Sequence, residues 1–230
     1  HPRIGFLEGA VRPQRETKVS VFLPWDDSAY VVADIPEAIW GNNNGERELL
    51  YLAHTHVDTT WTKQNIALEP TEWQQRKDGS YRMQRVLPNK VTIATDVFPG
   101  KDGVRMGMSL TNGTGRTLTG LRVQNCVMLK GAPEFAALTN ENKIFQAPYA
   151  ACRSESGMHW VITAWSPCQR TWGNMQCPCL HSDPQFPDCP PGQSVELFGW
   201  LSFYEGEDLP AELKRLDRLD WKQLPSKSRR

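Results

Sequence analysis

Short segments in which apolar and polar residues alternate recur along most of this chain, and they limit the folds that it can adopt. The clearest examples are residues 91–97, 104–110 and 121–127. Alternation with a period of two is typical of strands that bury one face. Short turn sequences rich in Gly, Pro and Asn separate these segments. We therefore predict that these three strands form an antiparallel meander.

The rest of the chain adds further strands and one helix. About ten short strands can be recognised in all, bounded by turn residues. Residues 208–221 instead repeat Leu209, Leu213 and Leu216 at helical spacing. These patterns predict an all-β protein, an antiparallel β-sandwich of the jelly-roll or supersandwich type, with one C-terminal α-helix at 208–221. Without an internal repeat or a linker, we expect residues 1–230 to form a single domain.

Cysteine usage suggests the compartment. The chain has six cysteines, and four of them lie in the segment that runs from Cys168 to Cys189. The surrounding segment, 166–192, is rich in Pro and polar residues, so disulfides would be the usual way to hold it. Zinc is the alternative, but the Cys177-Pro-Cys179 spacing does not match that of zinc ribbons. We predict a disulfide-bonded loop at 166–192 in a secreted or periplasmic protein.

Charge and known motifs exclude several classes of function. The chain has 26 basic and 26 acidic residues, so its formal net charge is zero. A chain with this charge balance offers no excess of basic residues to attract nucleic acid or anionic membranes. No apolar run approaches the roughly 20 residues that cross a bilayer. The Gly-rich phosphate loop, the dinucleotide fingerprint and the GxSxG and HExxH motifs are also missing. We expect no nucleic-acid partner and no membrane span.

The segment 49–61, LLYLAHTHVDTTW, contains two of the five histidines. The two histidines follow directly after its apolar first half. We predict that the segment is a strand, in which His54 and His56 share one face about 7 Å apart. Two such imidazoles can converge on one metal ion. The third ligand must then come from elsewhere. The candidates are His159, His181, Asp58, Asp183, Glu196 and His1, and we favour His159 or His181. We predict a divalent metal ion here, with zinc, copper and calcium left open.

Two families offer resemblances to these histidines. His54-Thr55-His56 resembles the first motif of cupins, although Thr60 and Trp61 stand where a cupin has its Glu. The N-terminal His1, the chain length and the cysteines resemble lytic polysaccharide monooxygenases. That resemblance implies a copper ion bound by the amine and ring of His1 together with a second histidine.

Aromatic and charged side chains point to carbohydrate. Nine tryptophans are many for one domain, and indole faces commonly stack on sugar rings, although they also fill cores. We assign Trp61 and Trp200 to substrate stacking. Glu196 and Tyr204 share the predicted strand face of Trp200, which makes them candidates for proton transfer in catalysis.

Two arginines complete the predicted substrate site. Arg105 and Arg122 lie on neighbouring predicted strands, where they could neutralise the carboxylate of an acidic sugar. They could equally be solvent-facing residues of the meander.

These observations favour a secreted, metal-dependent enzyme that acts on an oligo- or polysaccharide at the His-x-His site. Lyase, hydrolase and oxidase chemistry remain open, as does the oligomeric state. The alternatives are a non-catalytic carbohydrate-binding module, a copper histidine-brace polysaccharide oxidase that uses His1, and a structural accessory β-sandwich.

Overall fold

The computed structural model of the chain describes residues 3–5, 17–54 and 56–223. Within these ranges, fifteen β-strands form two antiparallel sheets, and one α-helix follows the last strand. Apolar side chains from both sheets share a common core. The prediction of an all-β sandwich with a C-terminal helix is therefore confirmed.

The first sheet has seven strands and carries most of the polar clusters described below. Its order is β1-β2-β3-β9-β14-β13, and β4 also pairs with β3. The strands are β1 (Arg3–Gly5), β2 (Lys18–Leu23), β3 (Asp26–Asn43), β4 (Glu46–Leu52), β9 (Thr119–Met128), β13 (Cys168–Asn174) and β14 (Cys179–Pro184). The long strand β3 pairs with β2, β4 and β9, so it organises this half of the molecule.

The second sheet has eight strands in the order β10-β11-β12-β15-β8-β7-β6-β5. The strands are β5 (Gln74–Gln75), β6 (Tyr81–Val86), β7 (Val91–Pro99), β8 (Val104–Asn112), β10 (Lys143–Gln146), β11 (Tyr149–Arg153), β12 (His159–Ser166) and β15 (Ser194–Glu205). The connections between strands include the short 3-10 helices Thr62–Gln64 and Pro133–Phe135.

Alternate residues of each strand fill the space between the sheets. Val127 and Leu180 of the first sheet are buried in the same cluster as Met106 and Leu201 of the second. Burial of each such side chain contributes about 1.5–3 kcal/mol to folding. The residues next to Val127 on β9 and next to Leu180 on β14 therefore point to the opposite, outer face of the first sheet.

The helix α1 (Leu209–Asp217) covers the outer face of the second sheet. Its residues Leu213 and Leu216 pack with Trp160 and Trp200 in a separate apolar cluster. Oδ1 of Asp208 accepts a hydrogen bond of 2.9 Å from the backbone N–H of Ala211, and this bond caps the helix. None of the helices in the described residues is long and apolar enough to span a membrane.

The predicted three-stranded meander is wrong in its third strand. Strands β7 and β8 pair as expected, but β9 joins the other sheet, between β3 and β14. The side chain of Asn112 donates hydrogen bonds to the backbone oxygens of Arg116 and Cys189. These bonds hold the segment after β8 in a conformation other than a hairpin turn. The chain then crosses from the second sheet to the first.

The predicted disulfides are also wrong, because all six cysteines are free thiols. The segment 166–192, predicted to be a loop, instead contributes β13 and β14 to the first sheet. Strand pairing satisfies much of its backbone, so a disulfide staple is not required.

The predicted strand in the histidine segment stops short of both histidines. Strand β4 ends at Leu52, and His54 lies in a bend beyond it. The backbone N–H of Ala53 donates to the carbonyl of Glu37, and the backbone N–H of Thr59 donates to the hydroxyl of Thr62. These contacts turn the chain before the predicted alternation can continue.

Candidate metal centre

Strand β14 places three ionisable residues on one face. Cys179, His181 and Asp183 alternate with Leu180 and Ser182. Leu180 belongs to the core between the sheets, so the other three residues face outward from the sandwich. All three are nonetheless buried, with exposed fractions of at most 2%. Burial at this level is rare for ionisable groups unless they are paired or bind a metal.

Strand β9 supplies the fourth member of this group. The pairing of Cys179 with Met128 and of Leu180 with Val127 sets the register of β9 against β14. Extension of this register brings Cys126 beside His181. The ligand atoms of Cys126, Cys179 and His181 all lie within 4.8 Å of one another. In the part of the chain that the structure describes, this is the one such group of three or more His, Cys, Asp or Glu residues.

The ring of His181 is held in one orientation. Its Nδ1 lies 2.9 Å from the carbonyl oxygen of Asn125, to which it donates, and its Nε2 lies 3.1 Å from Sγ of Cys179. The indole of Trp172 stacks on the ring at a centroid distance of 3.8 Å and an angle of 10°. A backbone acceptor on one ring nitrogen is the usual way to direct the other nitrogen at a metal.

The thiols and the imidazole shift each other's protonation. A hydrogen bond with Cys126 lowers the pKa of Cys179 to about 4, and the contact with His181 acts in the same direction against the effect of burial. The same hydrogen bond, together with burial, raises the pKa of Cys126. Burial alone would lower the pKa of His181, but the contact with Cys179 and the nearby carboxylates of Asp183 and Glu37 together raise this pKa above its ordinary value. The arrangement therefore favours a thiolate at Cys179.

The spacing of the ligand atoms is compatible with a metal ion. For bonds of about 2.3 Å to sulfur and 2.0–2.1 Å to nitrogen, ligand atoms in a tetrahedral shell are about 3.4–3.8 Å apart. The Cys179–His181 distance of 3.1 Å and the 4.8 Å limit for the group bracket this range. Cys126, Cys179 and His181 could thus bind a metal after only small movements.

Cys177 lies at the edge of this group. Burial raises the pKa of its thiol, and the neighbouring Cys179 raises it further. Its Sγ is also 3.6 Å from Sδ of Met128. The half-buried Cys177 is therefore close enough to Cys179 to interact with it and is a candidate for a fourth ligand.

A second polar cluster adjoins the first on the same sheet face. A register shift in β3 between Asp34 and Ala38 inserts extra residues opposite β9, and such a bulge re-aims side chains. Oε1 of Glu37 lies 3.1 Å from Nε2 of His54, and Oδ2 of Asp34 lies 3.7 Å from the same nitrogen. Nζ of Lys18 pairs with the same oxygen, Oδ2 of Asp34, at 3.0 Å.

Two carboxylates of this cluster differ in their protonation. Burial raises the pKa of Asp34, although Lys18 opposes the shift. Burial would also raise the pKa of Glu37, but hydrogen bonds from His54 and Gln124, together with the charges of His181 and His54, lower this pKa below its ordinary value. The hydrogen bond with Glu37 in turn raises the pKa of His54. The pair Glu37–His54 is therefore favoured in its charged form.

The four predicted histidine ligands are not brought to one point. The rings of His54 and His56 are 5.7 Å apart, but Nε2 of His54 faces carboxylates and His56 is exposed. Glu37 lies between His54 and His181, and its Oε2 is 3.9 Å from Nδ1 of His181. His159 lies on the second sheet, where it bonds to Glu134 at 2.9 Å. The predicted histidine brace at His1 falls outside the described residues.

The predicted catalytic and stacking residues are also dispersed. Glu196 and Tyr204 lie eight residues apart on β15, or about 27 Å along the strand, too far to act on one bond. Trp200 lies buried beneath α1, and Trp61 is buried with its Nε1 donating to Leu50 at 2.7 Å.

The two predicted arginines lie on different sheets. Arg105 is on β8 of the second sheet, half-buried, whereas Arg122 is on β9 of the first sheet and lines an open cavity. The two arginines therefore do not form one site, and Arg122 lies in a cavity of the first sheet.

Sequence reasoning missed Cys126 and Cys179 as partners of His181. The pattern Cys179-Leu180-His181 places two ligands on one strand face in the same manner as the His-x-His pair. The signal was present, but the segment was interpreted as a disulfide-bonded loop. The approach of Cys126 depends on the pairing of β9 with β14, for which the sequence offers no local signal.

Comparisons with known proteins provide no family. No family model and no curated protein matches the chain. Among solved structures, the Slr1438 protein of Synechocystis sp. PCC 6803 is similar at 9% identity, with a TM-score of 0.45, over 82% of this chain and 88% of that one. A protein assigned as a kojibiose phosphorylase, from the human microbiome, is similar at 6% identity, with a TM-score of 0.43, over 82% of this chain and 25% of that one.

Proposed function

We propose that the protein is a metal-binding β-sandwich protein that holds a transition-metal ion between β9 and β14. The ligands are Cys126, Cys179 and His181. The observation that carries this proposal is the convergence of their ligand atoms within 4.8 Å, on buried and adjacent strands. The bond from His181 Nδ1 to a backbone carbonyl supports it, because Nε2 is left to face the thiols.

The donor set favours particular metals. Two thiolates and one imidazole suit Zn²⁺ or copper, whereas calcium and magnesium require oxygen ligands. Of the three metals considered from the sequence, zinc and copper fit these side chains and calcium does not. We propose zinc, because its preferred tetrahedral shell matches the ligand spacing.

The role that we propose for the metal is structural. Cys177 would complete a shell of three cysteines and one histidine, and such closed shells are typical of structural zinc sites. The exposed fractions of Cys179 and His181 are only 2%, which leaves little access for a substrate. The metal would thus tie β9 to β14 beneath the outer face of the first sheet.

Metal content tests this proposal. The purified protein is loaded with zinc, dialysed and analysed by mass spectrometry for metal per chain. We expect one zinc per wild-type chain, and a large loss in Cys179→Ser and His181→Gln. Cys168→Ser is the matched control, because Cys168 lies outside the ligand group. A wild-type protein that retains no zinc after dialysis would contradict the proposal, and so would a full complement of zinc in Cys179→Ser.

A carbohydrate-active enzyme is the second candidate, and the surroundings of His54 favour it. The half-exposed ring lies between the carboxylates of Asp34 and Glu37. An imidazole held by carboxylates and open to solvent is a common general acid or base. We assign His54 to proton transfer here rather than to metal binding.

Activity on glycans tests this candidate. The protein is incubated with neutral and uronate-containing oligosaccharides, and the release of reducing ends is followed. Loss of a general acid or base lowers rates about 10²–10⁴-fold, so we expect this loss in His54→Gln. His56→Gln, which changes an exposed neighbour, should retain activity. Equal rates for the two variants, or a wild-type protein inactive on every glycan, would exclude this assignment.

A further inference from the structure

An open cavity of about 320 Å³ lies on the outer face of the first sheet. It adjoins the proposed metal site through its lining residue Asp183, whose Oδ1 is 3.9 Å from Nδ1 of His181. Strands β3, β4, β9, β13 and β14 all contribute to its walls. Its polar and aromatic lining consists of Trp40, Arg47, Arg122, Gln169, Arg170 and Asp183. Three arginines and one acidic residue give this lining a surplus of positive charge.

The acidic residue of the cavity is already engaged within the protein. Oδ2 of Asp183 accepts hydrogen bonds from Nε of Arg170 at 2.8 Å and from Nε1 of Trp172 at 2.7 Å. Its Oδ1 accepts from the backbone N–H of Asn125 at 3.2 Å. Asp183 therefore neutralises Arg170 and leaves the charge of the other two arginines uncompensated.

Arg47 and Arg122 have no acidic partner among the described residues. The guanidinium of Arg47 lies over the indole of Trp40, 4.8 Å from the ring centroid. Trp40 and Arg122 are directly paired between β3 and β9, so the two arginines flank one aromatic side chain. Both are exposed at the cavity.

This geometry points to an oxyanion as the ligand, and we propose that the cavity binds a carboxylate, sulfate or phosphate group carried by a small molecule. The planar guanidinium group matches the oxygens of these anions with paired hydrogen bonds. Arg170, already fixed by Asp183, adds a third and preorganised donor. The cavity volume is near the lower end of the roughly 300–1,000 Å³ seen for ligand sites, which suits a molecule the size of one sugar.

Calorimetric titration tests the proposal with defined probes. Sodium sulfate, inorganic phosphate and sodium glucuronate are titrated into the full chain at constant ionic strength, with glucose as the uncharged comparison. We expect saturable 1:1 binding of at least one oxyanion and none of glucose. The anion that binds tightest identifies the tetrahedral or the planar group as the natural ligand chemistry.

Arginine variants locate the binding. A hydrogen bond to a charged group contributes about 1.5–3 kcal/mol, which corresponds to a change of about 10-fold or more in Kd. We expect this weakening in Arg122→Gln and, independently, in Arg47→Gln, with thermal midpoints that show a folded protein. Arg105→Gln is the matched control, since Arg105 lies on the other sheet, and it should bind as the wild type does.

Two results would overturn the proposal. One is a wild-type protein that binds none of the three oxyanions, or that binds glucose as tightly as glucuronate. The other is unchanged affinity in both Arg122→Gln and Arg47→Gln. The cavity lining includes none of the proposed metal ligands, so both arginine variants leave those ligands unchanged.

Discussion

At the scale of single residues, Glu37 connects the two histidines on the outer face of the first sheet. Its Oε1 contacts His54, and its Oε2 accepts a hydrogen bond of 2.7 Å from Gln124 and lies 3.9 Å from Nδ1 of His181. Exchange of Glu37 should therefore affect both the half-exposed ring of His54 and the buried ring of His181. Its electrostatic effect can be measured through the pH dependence of stability.

The pair Glu37–His54 should stabilise the fold most in mildly acidic solution. The raised pKa of His54 gives stability that is complete below its ordinary value of 6.5 and is lost as pH rises through the folded value. The lowered pKa of Glu37 gives stability that is complete above 4.5 and is lost as pH falls through the folded value. We expect the difference in thermal midpoint between wild type and His54→Gln to be largest between these two values and to shrink at alkaline pH.

His56→Gln is the control for this measurement, because His56 is an exposed histidine next to His54. A midpoint difference for His54→Gln that is independent of pH would show that Glu37 does not interact with the charged ring.

Individual cysteines should differ in their reactivity. Burial raises the pKa of Cys152 to about 12, and a buried thiol with little thiolate reacts slowly. Cys168 and Cys177 are only half-buried. We expect iodoacetamide to label these two in the metal-free folded protein and to spare Cys152, with peptide mapping as the readout. Zinc should then protect Cys177 but not Cys168.

Labelling of Cys152 before unfolding would be inconsistent with its burial. Recovery of disulfide-linked peptides would contradict the free thiols of the structure.

At the scale of the elements, the helix was the easiest to predict. Its leucine spacing and its cap are local signals, and α1 lies within the predicted range 208–221. The limits of β4 were harder to predict, because apolar residues continue to Ala53 while the turn depends on contacts with β3. Strand β9 has a strong pattern of alternation, but no local residue identifies the sheet that it joins.

Helix α1 should contribute substantially to stability. Leu213 is buried against the tryptophans of β12 and β15, and truncation of such a residue costs about 2–5 kcal/mol. We expect a loss of this size in Leu213→Ala, measured by urea denaturation with tryptophan fluorescence. Lys214→Ala, on the exposed side of the helix, should change stability by no more than about 0.5 kcal/mol. Similar effects from both variants would mean that the helix does not dock as described.

At the scale of the whole molecule, bound metal should stabilise the fold. A ligand that binds only the folded state at 100 times its Kd adds about 2.7 kcal/mol. We expect zinc to raise the thermal midpoint of the wild type and of Cys168→Ser, and a chelator to reverse the rise. Cys179→Ser should show no zinc-dependent rise. An equal rise in Cys179→Ser would mean that zinc acts at another place on the protein.

The sequence was sufficient for the fold class but not for the topology. Alternation of apolar and polar residues shows that segments such as β7 and β8 have one buried face. A chain with many such short strands is typical of a sandwich. His181 could be named as a ligand from its residue type alone, whereas Cys126 and Cys179 could not be recognised as its partners. Which strands meet is decided by the fit of distant segments in the core, and this fit has no signature in any single segment.

The cellular location stays a prediction. Its support was the expected disulfide-bonded loop, and the structure has free cysteines in that segment.

The neighbouring positions of β3, β9 and β14 in the first sheet have a consequence for the time course of folding. These strands are far apart along the chain, and pairing of distant segments is slow because long loops must close first. Local hairpins such as β7–β8 can form early, whereas Cys126 and Cys179 meet late. Until then both thiols remain accessible to oxidants, so refolding in the presence of a reductant should yield more native protein than refolding in air.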